Sequence, residues 1–181
     1  MTPRVDLRIE APAWRRRLPA AGPLVRRAAG AALSAAKPRQ RNANIGALCV
    51  VLADDRLQRR LNRTFRGKDK PTNVLSFEGS AVGPHPANLG DVVLALETIA
   101  GEARQQGKSL GDHVAHLVVH GVLHLMGYDH EEKGEALRME RLEREILARL
   151  DIADPYGAGR NNDGAGARPR HHRQDAKRHV T

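Results

Sequence analysis

Three histidines near the middle of the chain have a spacing that suits a single metal ion. His120 and His124 are four residues apart, so they lie one above the other on the same face of a helix. Gly127 follows, and a glycine readily takes up the left-handed conformation with which helices commonly end, so the chain can turn back and bring His130 to the same ion. Three imidazole nitrogens with a fourth position open are typical of a catalytic zinc site rather than a closed structural one.

The residue after the first histidine separates this site from that of a peptidase. The spacing is that of the metallopeptidase pattern H-E-x-x-H-x-x-G-x-x-H, but Gly121 replaces the glutamate that acts as the general base in those enzymes. Imidazole suits zinc, nickel, copper and iron, whereas three histidines without a carboxylate are a poor match for Mg²⁺ or Ca²⁺. We expect one Zn²⁺ per chain, and the spacing is also compatible with nickel.

Polar residues beside the predicted ligands have competing interpretations. His116 lies one turn before His120 and either forms the wall of a cleft or packs as an ordinary residue. His113, one turn earlier again, is expected to face solvent. Asp129, next to His130, either accepts a proton or orients a ligand histidine, or else it caps the last helix.

A cluster of basic residues between positions 56 and 70 indicates the substrate. Arg66 is the candidate catalytic residue, because a planar guanidinium suits phosphate recognition and neutralises the charge that develops during phosphodiester cleavage. Taken alone, the cluster would be a solvated helix face; beside a metal site, it favours a phosphodiester substrate. With only five aromatic residues in the chain, we expect recognition of backbone and shape rather than extensive base stacking. The candidate nucleic-acid contacts are Arg59, Arg60, Arg63, Lys68 and Lys70.

Composition predicts one globular domain and a basic tail. The 181 residues are 40% hydrophobic and 28% charged, they contain no apolar run long enough to cross a membrane, and a cytoplasmic location is expected. The formal charge of +9 is unevenly divided: residues 1–41 carry +8 and residues 156–181 carry +4, whereas residues 42–155 carry −3. We therefore predict a folded domain over residues 1–155 and a disordered basic tail over residues 156–181.

Hydrophobic periodicity predicts an α+β fold, a mixed β-sheet packed with helices, in which the central helix carries the histidines. Strands are predicted at 5–9, 45–52, 74–78 and 90–95, and helices at 23–36, after Asp54, at 97–106, from near Asp112 to Met126 and from near Leu137 to near Asp154. Leu57, Leu61 and Phe65 are predicted to form the buried stripe of the helix after Asp54.

Five segments carry a resemblance to a known family. They are Leu61-Asn62, Phe65-Arg-Gly-Lys-Asp-Lys-Pro-Thr-Asn-Val-Leu-Ser-Phe77, Leu89-Gly-Asp-Val-Val93, His116-Leu-Val-Val-His-Gly-Val-Leu-His-Leu-Met-Gly-Tyr-Asp-His130 and Met139-Glu140. In these segments the chain resembles the YbeY-type endoribonucleases, which are bacterial ribosomal RNA maturation factors, over about residues 5–152. Asn73 stands where many members have aspartate, and Glu78 stands where many have proline.

The resemblance implies an α+β metalloprotein in which His120, His124 and His130 hold zinc and Arg66 is the functional arginine. It also implies cleavage of single-stranded RNA, maturation of the 3′ end of 16S ribosomal RNA, a role in ribosome quality control, and contact with ribosomal proteins or a ribosome-assembly GTPase. The expected mechanism is attack by a metal-bound hydroxide on the phosphodiester, with attack by an internal 2′-OH as the competing route.

Two other functions remain open at the level of sequence. The protein is alternatively a ribosome-assembly factor that binds RNA and whose metal is structural. A metallopeptidase is the other alternative, and it would need a general base at a position other than Gly121.

Overall fold

The fold is a mixed four-stranded sheet with six helices in the part of the chain that the structure describes. A computed structural model describes residues 4–36, 45–79, 87–128 and 133–157. The strands are β1 (Arg4–Ile9), β2 (Ile45–Ala53), β3 (Val74–Glu78) and β4 (Ala87–Ala95). The helices are α1 (Ala13–Arg17), α2 (Ala21–Ala35), α3 (Asp55–Arg66), α4 (Leu96–Gln105), α5 (Leu110–Leu125) and α6 (Lys133–Arg149). This architecture confirms the predicted α+β class.

The sheet has the large hydrophobic core on one face and a small hydrophobic cluster on the other. Its strand order is β1-β2-β4-β3; the first three strands are parallel, and β3 pairs antiparallel with β4 at one edge. Side chains alternate along each strand, so Val50 of β2 faces the large core that includes α2 and α5, whereas Val51 faces a small cluster under α3. Consequently α5 and α3 lie on opposite faces of the same sheet.

The central helix α5 packs against α2, α4, α6 and the strands β3 and β4. It begins at Leu110, two residues before Asp112, because the Ser109 side chain caps it by accepting a hydrogen bond from the Asp112 backbone N–H at 3.0 Å. After its last turn the chain reverses at Gly127, where φ is +87°. This left-handed residue ends the helix as the sequence predicted.

The helix α3 begins where predicted, but its buried face differs. Asp54 caps it by accepting a hydrogen bond from the Leu57 N–H at 2.8 Å. The predicted stripe is wrong at Phe65, which is 56% exposed, and the buried positions of this helix are Gln58 and Asn62. Their amide N–H groups donate to backbone carbonyls, Gln58 to Val93 and Asn62 to Lys70. Leu57 and Leu61 are half-buried against the small cluster, so the most buried positions of α3 lie one residue after the predicted leucines and are polar.

The last helix α6 turns Met139, Ile146 and Leu147 into the large core. Leu137, near which this helix was predicted to begin, is 66% exposed and lies outside the core. The helix ends at Arg149, before the predicted Asp154. No helix in the described ranges combines the length and apolar character needed to cross a membrane.

Candidate metal centre and basic surface

The side chains of His120 and His124 converge on one point beside α5. Their Nε2 atoms are 3.1 Å apart, and their ring centroids are 4.5 Å apart at a steep interplanar angle of 78°. Two nitrogens that bind one tetrahedral zinc at 2.0–2.1 Å lie about 3.3 Å apart. The histidine pair therefore has the separation that two ligands of a shared zinc ion require.

A buried carboxylate sets the orientation of the first histidine. Glu143 of α6 is 1% exposed, and its Oε1 lies 2.7 Å from Nδ1 of His120. A Nδ1–H that donates to this carboxylate leaves the Nε2 lone pair of His120 available for a cation. Metal-binding histidines commonly have such a carboxylate partner on the second ring nitrogen.

Glu143 also has contacts on its second oxygen. His116 Nε2 lies 3.5 Å from Glu143 Oε2, and the hydroxyl of Tyr156 donates a hydrogen bond to that oxygen. Burial alone would raise the pKa of Glu143, but its contacts with the imidazoles of His116 and His120 outweigh burial and hold that pKa below its ordinary value. The carboxyl group is thus ionised and contributes a negative charge beside the histidine pair, which suits a cation.

Sequence reasoning missed both Glu143 and Tyr156. Glu143 lies on the apolar stripe of α6 between Met139 and Ile146, so a charged residue on a buried face was the available signal. Tyr156 was assigned to the disordered tail, yet its ring lies against His116 with a centroid distance of 5.7 Å. The predicted boundary between residues 155 and 156 therefore separates Tyr156 from the domain that it contacts.

Two predicted site residues, Asp129 and His130, lie outside the described residues. Within the described ranges, no group of three or more His, Cys, Asp or Glu side chains is arranged to hold one metal ion. His120 and His124 are the two predicted ligands that lie within these ranges, and the assignment of all three histidines as ligands and of Asp129 as a neighbour remains a prediction.

His113 is buried, so the prediction that it faces solvent is wrong. Its Nε2 lies 2.8 Å from a carboxylate oxygen of Glu102 on α4, and this carboxylate also accepts hydrogen bonds from the Asn73 side chain at 3.0 and 3.2 Å. The cause is the packing of α4 against this side of α5. Asn73 is able to donate here because an amide carries N–H groups.

His116 occupies an intermediate position in this row of histidines. Its side chain is 15% exposed, and neither ring nitrogen has a hydrogen bond of good geometry within the described residues. Burial is the main cause that lowers its pKa. His116 therefore packs as a neutral ring beside Glu143 and Tyr156, as expected of an ordinary packed residue.

The space around Gly121 explains why the peptidase glutamate is absent. A Cβ atom at this position would lie 2.8 Å from Val92 Cγ1 and 3.1 Å from Ser76 Oγ, and the Ser76 hydroxyl donates to the Gly121 carbonyl at 3.2 Å. Position 121 thus faces the sheet at close range. A glutamate there would collide with β4 instead of reaching a metal.

The predicted nucleic-acid contacts lie mainly on the exposed side of α3. Arg59 donates two hydrogen bonds to the Asp69 carboxylate, at 2.9 and 2.7 Å, and so restrains the loop after the helix. Arg60 and Arg63 are exposed. These arginines lie at an open depression, which we call the basic surface. It is lined by Asp55, Arg56, Arg59, Arg60, Arg63, Asp69 and Pro71.

The loop after α3 is tied back to the helix and presents the two predicted lysines. The Lys68 N–H donates to the Asn62 carbonyl at 3.2 Å, and the Asn62 side chain donates to the Lys70 carbonyl at 2.7 Å. Arg66 is the last residue of α3 and is half-buried, immediately before Gly67 in a left-handed conformation with φ +66°. These contacts give the loop a defined path between α3 and β3.

The edge strand β3 connects the basic surface to the histidine pair. Ser76 faces α5 and bonds to Gly121, the residue after His120. The next residue, Phe77, faces α3 and contacts Phe65, the residue before Arg66, with ring centroids 5.1 Å apart. Gly121 and Phe65 therefore contact neighbouring residues of one edge strand, so α5 and the end of α3 that carries Arg66 both pack against β3.

Fold and site together define an α+β protein with a half-buried histidine pair suited to a cation and a separate basic surface. A sequence model of the family described as Endoribonuclease YbeY matches residues 21–151. The chain belongs to the Endoribonuclease YbeY family, as the resemblance implied.

Relatives in this family are similar over most of the chain. The Endoribonuclease YbeY of Paramagnetospirillum magneticum is 50% identical over 163 residues, covering 87% of this chain and 98% of the relative. That of Rhodospirillum rubrum is 47% identical over 163 residues, with coverages of 85% and 82%. A solution structure from Thermotoga maritima is more distant, at 20% identity and a TM-score of 0.47 over 84% of this chain and 98% of that one.

Proposed function

We propose that the protein is a metal-dependent endoribonuclease that cleaves single-stranded RNA and acts in ribosomal RNA processing. The observation that carries the proposal is the His120 and His124 pair, whose Nε2 atoms lie 3.1 Å apart and are backed by buried Glu143, in a member of the Endoribonuclease YbeY family. The curated relatives bear the name endoribonuclease, which describes internal cleavage of RNA.

The proposed ion is Zn²⁺, held by His120, His124 and His130, and nickel also suits this donor set. When bound, such an ion supplies Lewis acidity, which polarises a phosphoryl oxygen and lowers the pKa of water. The hydrogen bond of Glu143 to Nδ1 would leave the Nε2 lone pair of His120 available to such an ion, and the carboxylate charge would favour a cation there.

The remaining roles belong to the basic residues. Arg66 is proposed to bind the scissile phosphate, where a guanidinium offsets the negative charge that grows in the transition state. Arg60 and Arg63, which are exposed, are proposed to bind the RNA backbone, with Lys68 and Lys70 on the adjoining loop. Arg59, which forms an ion pair with Asp69, is also proposed to bind the RNA backbone. The attacking group is water or an internal 2′-OH, and a 2′,3′-cyclic phosphate product would identify the second route.

The cellular role that we propose follows from family membership. It is maturation of the 3′ end of 16S ribosomal RNA in the cytoplasm, with a part in ribosome quality control and contacts to ribosomal proteins or a ribosome-assembly GTPase. The basic surface of α3 supports contact with ribosomal RNA, because exposed arginines bind phosphate without requiring a particular base sequence.

The test is cleavage of a defined, end-labelled RNA in single-stranded and duplex form by full-length protein. Wild type is stripped of metal, reloaded with zinc or nickel, and compared with His124→Ala and Arg66→Ala. We expect cleavage of the single strand only, restored by metal, and a loss of about 100-fold or more in each variant. Full activity in the stripped protein, or in His124→Ala, would contradict the proposal.

A second function is favoured by one observation: the basic surface and the histidine pair lie on opposite faces of the sheet. RNA binding in ribosome assembly is therefore separable from cleavage. On this alternative, His124→Ala retains RNA binding and also retains ribosomal RNA processing in cells. On the endoribonuclease proposal, the same variant binds RNA but processing fails.

A further inference from the structure

We propose that Tyr156 is a positioning residue for the metal centre, acting through Glu143. Its hydroxyl donates to one oxygen of the Glu143 carboxylate, whose other oxygen contacts Nδ1 of His120. Residues 154–156, which we call the C-terminal strap, thus orient a ligand histidine at one remove. The inference rests on the proposed metal-dependent function and deepens it.

The carboxylate of Glu143 lies inside the protein. Glu143 is 1% exposed, so solvent does not satisfy its oxygens and protein groups must do so. Oε1 contacts His120 at 2.7 Å. At Oε2, His116 lies at 3.5 Å, which is too far for a strong hydrogen bond, and the Tyr156 hydroxyl supplies the hydrogen bond. With donors at both oxygens, the plane of the carboxylate is fixed.

The C-terminal strap is held by hydrogen bonds to the α4–α5 connection and to α6. Lys108, in the connection between α4 and α5, donates to the Pro155 carbonyl at 2.9 Å. Asp154 accepts from the backbone N–H of Tyr156 at 2.9 Å and from Arg144 of α6 at 3.3 Å. The Arg144 guanidinium also lies 5.0 Å from the centroid of the Tyr156 ring. Contacts with two separate parts of the fold therefore hold Tyr156 in place.

The ring and the hydroxyl of Tyr156 make different contacts. The ring packs against His116 and Arg144, and a phenylalanine would fill the same space. Only the hydroxyl reaches the carboxylate. Partners that orient metal-binding histidines typically change metal affinity about 10- to 100-fold when they are mutated. The strap also lies beyond residues 21–151, the part of the chain that the family model matches.

The test measures zinc affinity of the full-length protein by competition with a chromophoric chelator. The variants are Tyr156→Phe, Tyr156→Ala, Glu143→Gln and the double variant Tyr156→Phe with Glu143→Gln. Ser34→Ala, which removes an exposed hydroxyl on α2, is the control. Thermal unfolding of each metal-free protein shows whether it is folded before zinc is added.

We expect Glu143→Gln to weaken zinc binding about 10- to 100-fold and Tyr156→Phe to weaken it by about tenfold, near the lower end of that range. Because Tyr156 acts through Glu143, Tyr156→Phe should have almost no further effect in the Glu143→Gln background. The Ser34→Ala control should bind zinc as wild type does.

Two results would overturn the inference and leave the proposed function intact. One is wild-type zinc affinity in Tyr156→Phe with weakened affinity only in Tyr156→Ala, which would assign the effect to packing of the ring. The other is full additivity in the double variant, which would show that Tyr156 does not act through Glu143. Failure of the wild-type protein to bind zinc or nickel would overturn the inference and the proposed metal dependence together.

Discussion

The helices α5 and α3 lie on opposite faces of one sheet, and their polar side chains differ in location and in hydrogen-bond partners. On α5, His113 and His120 turn inward and meet buried or half-buried carboxylates from neighbouring helices. On α3, the inward polar residues are the amides of Gln58 and Asn62, which bond to backbone, and the arginines face outward. The first helix builds a site inside the fold, whereas the second presents charge to solvent.

This difference teaches which properties each region can supply. A buried polar group has few alternative partners, so its geometry is fixed and a substitution changes the fold or the ligand geometry. An exposed arginine is screened by water and salt, so it adds affinity for an anion without fixing its position. Substitutions on the two helices should therefore separate metal binding and stability from RNA affinity.

The largest effect on stability is expected for Gly121→Glu on α5. A Cβ atom there would lie 2.8 Å from Val92 Cγ1, and the carboxylate would be buried without a partner. We expect a loss of about 3 kcal/mol or more in the free energy of unfolding, measured by urea denaturation. Restoring the peptidase glutamate should give no peptidase activity.

The matched control is Gly101→Glu on α4. A Cβ atom at Gly101 would meet no other atom within 4 Å, so the same substitution should change stability by about 1 kcal/mol or less and slightly favour the helix. Equal stabilities of the two variants would show that position 121 is not closely packed against the sheet.

On the basic surface, the double substitution of Arg60 and Arg63 by alanine should weaken binding of single-stranded RNA by about tenfold at physiological salt. Each lost phosphate contact lowers the slope of log affinity against log salt by about 0.7, so the slope should fall by about 1.4. Both side chains are exposed, and urea denaturation should show little change in stability. An unchanged slope of log affinity against log salt would show that these two residues do not contact RNA phosphates.

Glu102 provides a prediction with a defined pH dependence. Burial alone would raise its pKa, but hydrogen bonds from His113 and Asn73 outweigh burial and hold the pKa below its ordinary value of 4.5. The unfolded state then binds more protons between the folded and unfolded pKa values. The stabilisation is therefore complete above the ordinary value and is lost as the pH falls through the lower, folded pKa.

We expect Glu102→Gln to lower the free energy of unfolding by about 1 kcal/mol at pH 7. The difference from wild type should shrink as the pH falls below 4.5, as followed by urea denaturation at several pH values. A difference that stays constant over this range would mean that the charge of Glu102 does not contribute.

The sequence predicted the parts of this fold that depend on local pattern. The start of α3 at Asp54 and the helix end at Gly127 follow from the chemistry of single residues, and both are found in the structure. Glu143 was missed because its partners are distant along the chain: His120 is 23 residues away and Tyr156 is 13 residues away. Periodicity indicates which face of a helix is buried, but it does not show what that face meets.

The smallest effect is expected at Phe65 on α3, where periodicity and structure disagree. The predicted buried stripe implies a loss of about 3–5 kcal/mol for Phe65→Ala, as for a core phenylalanine. The structure leaves the ring 56% exposed, with one edge contact to Phe77, so we expect a loss of about 1 kcal/mol or less by urea denaturation. Leu123→Ala on α5 is the buried comparison and should lose about 2–5 kcal/mol. Similar losses at the two positions would mean that α3 is as deeply packed as α5 and would end the contrast between the two helices.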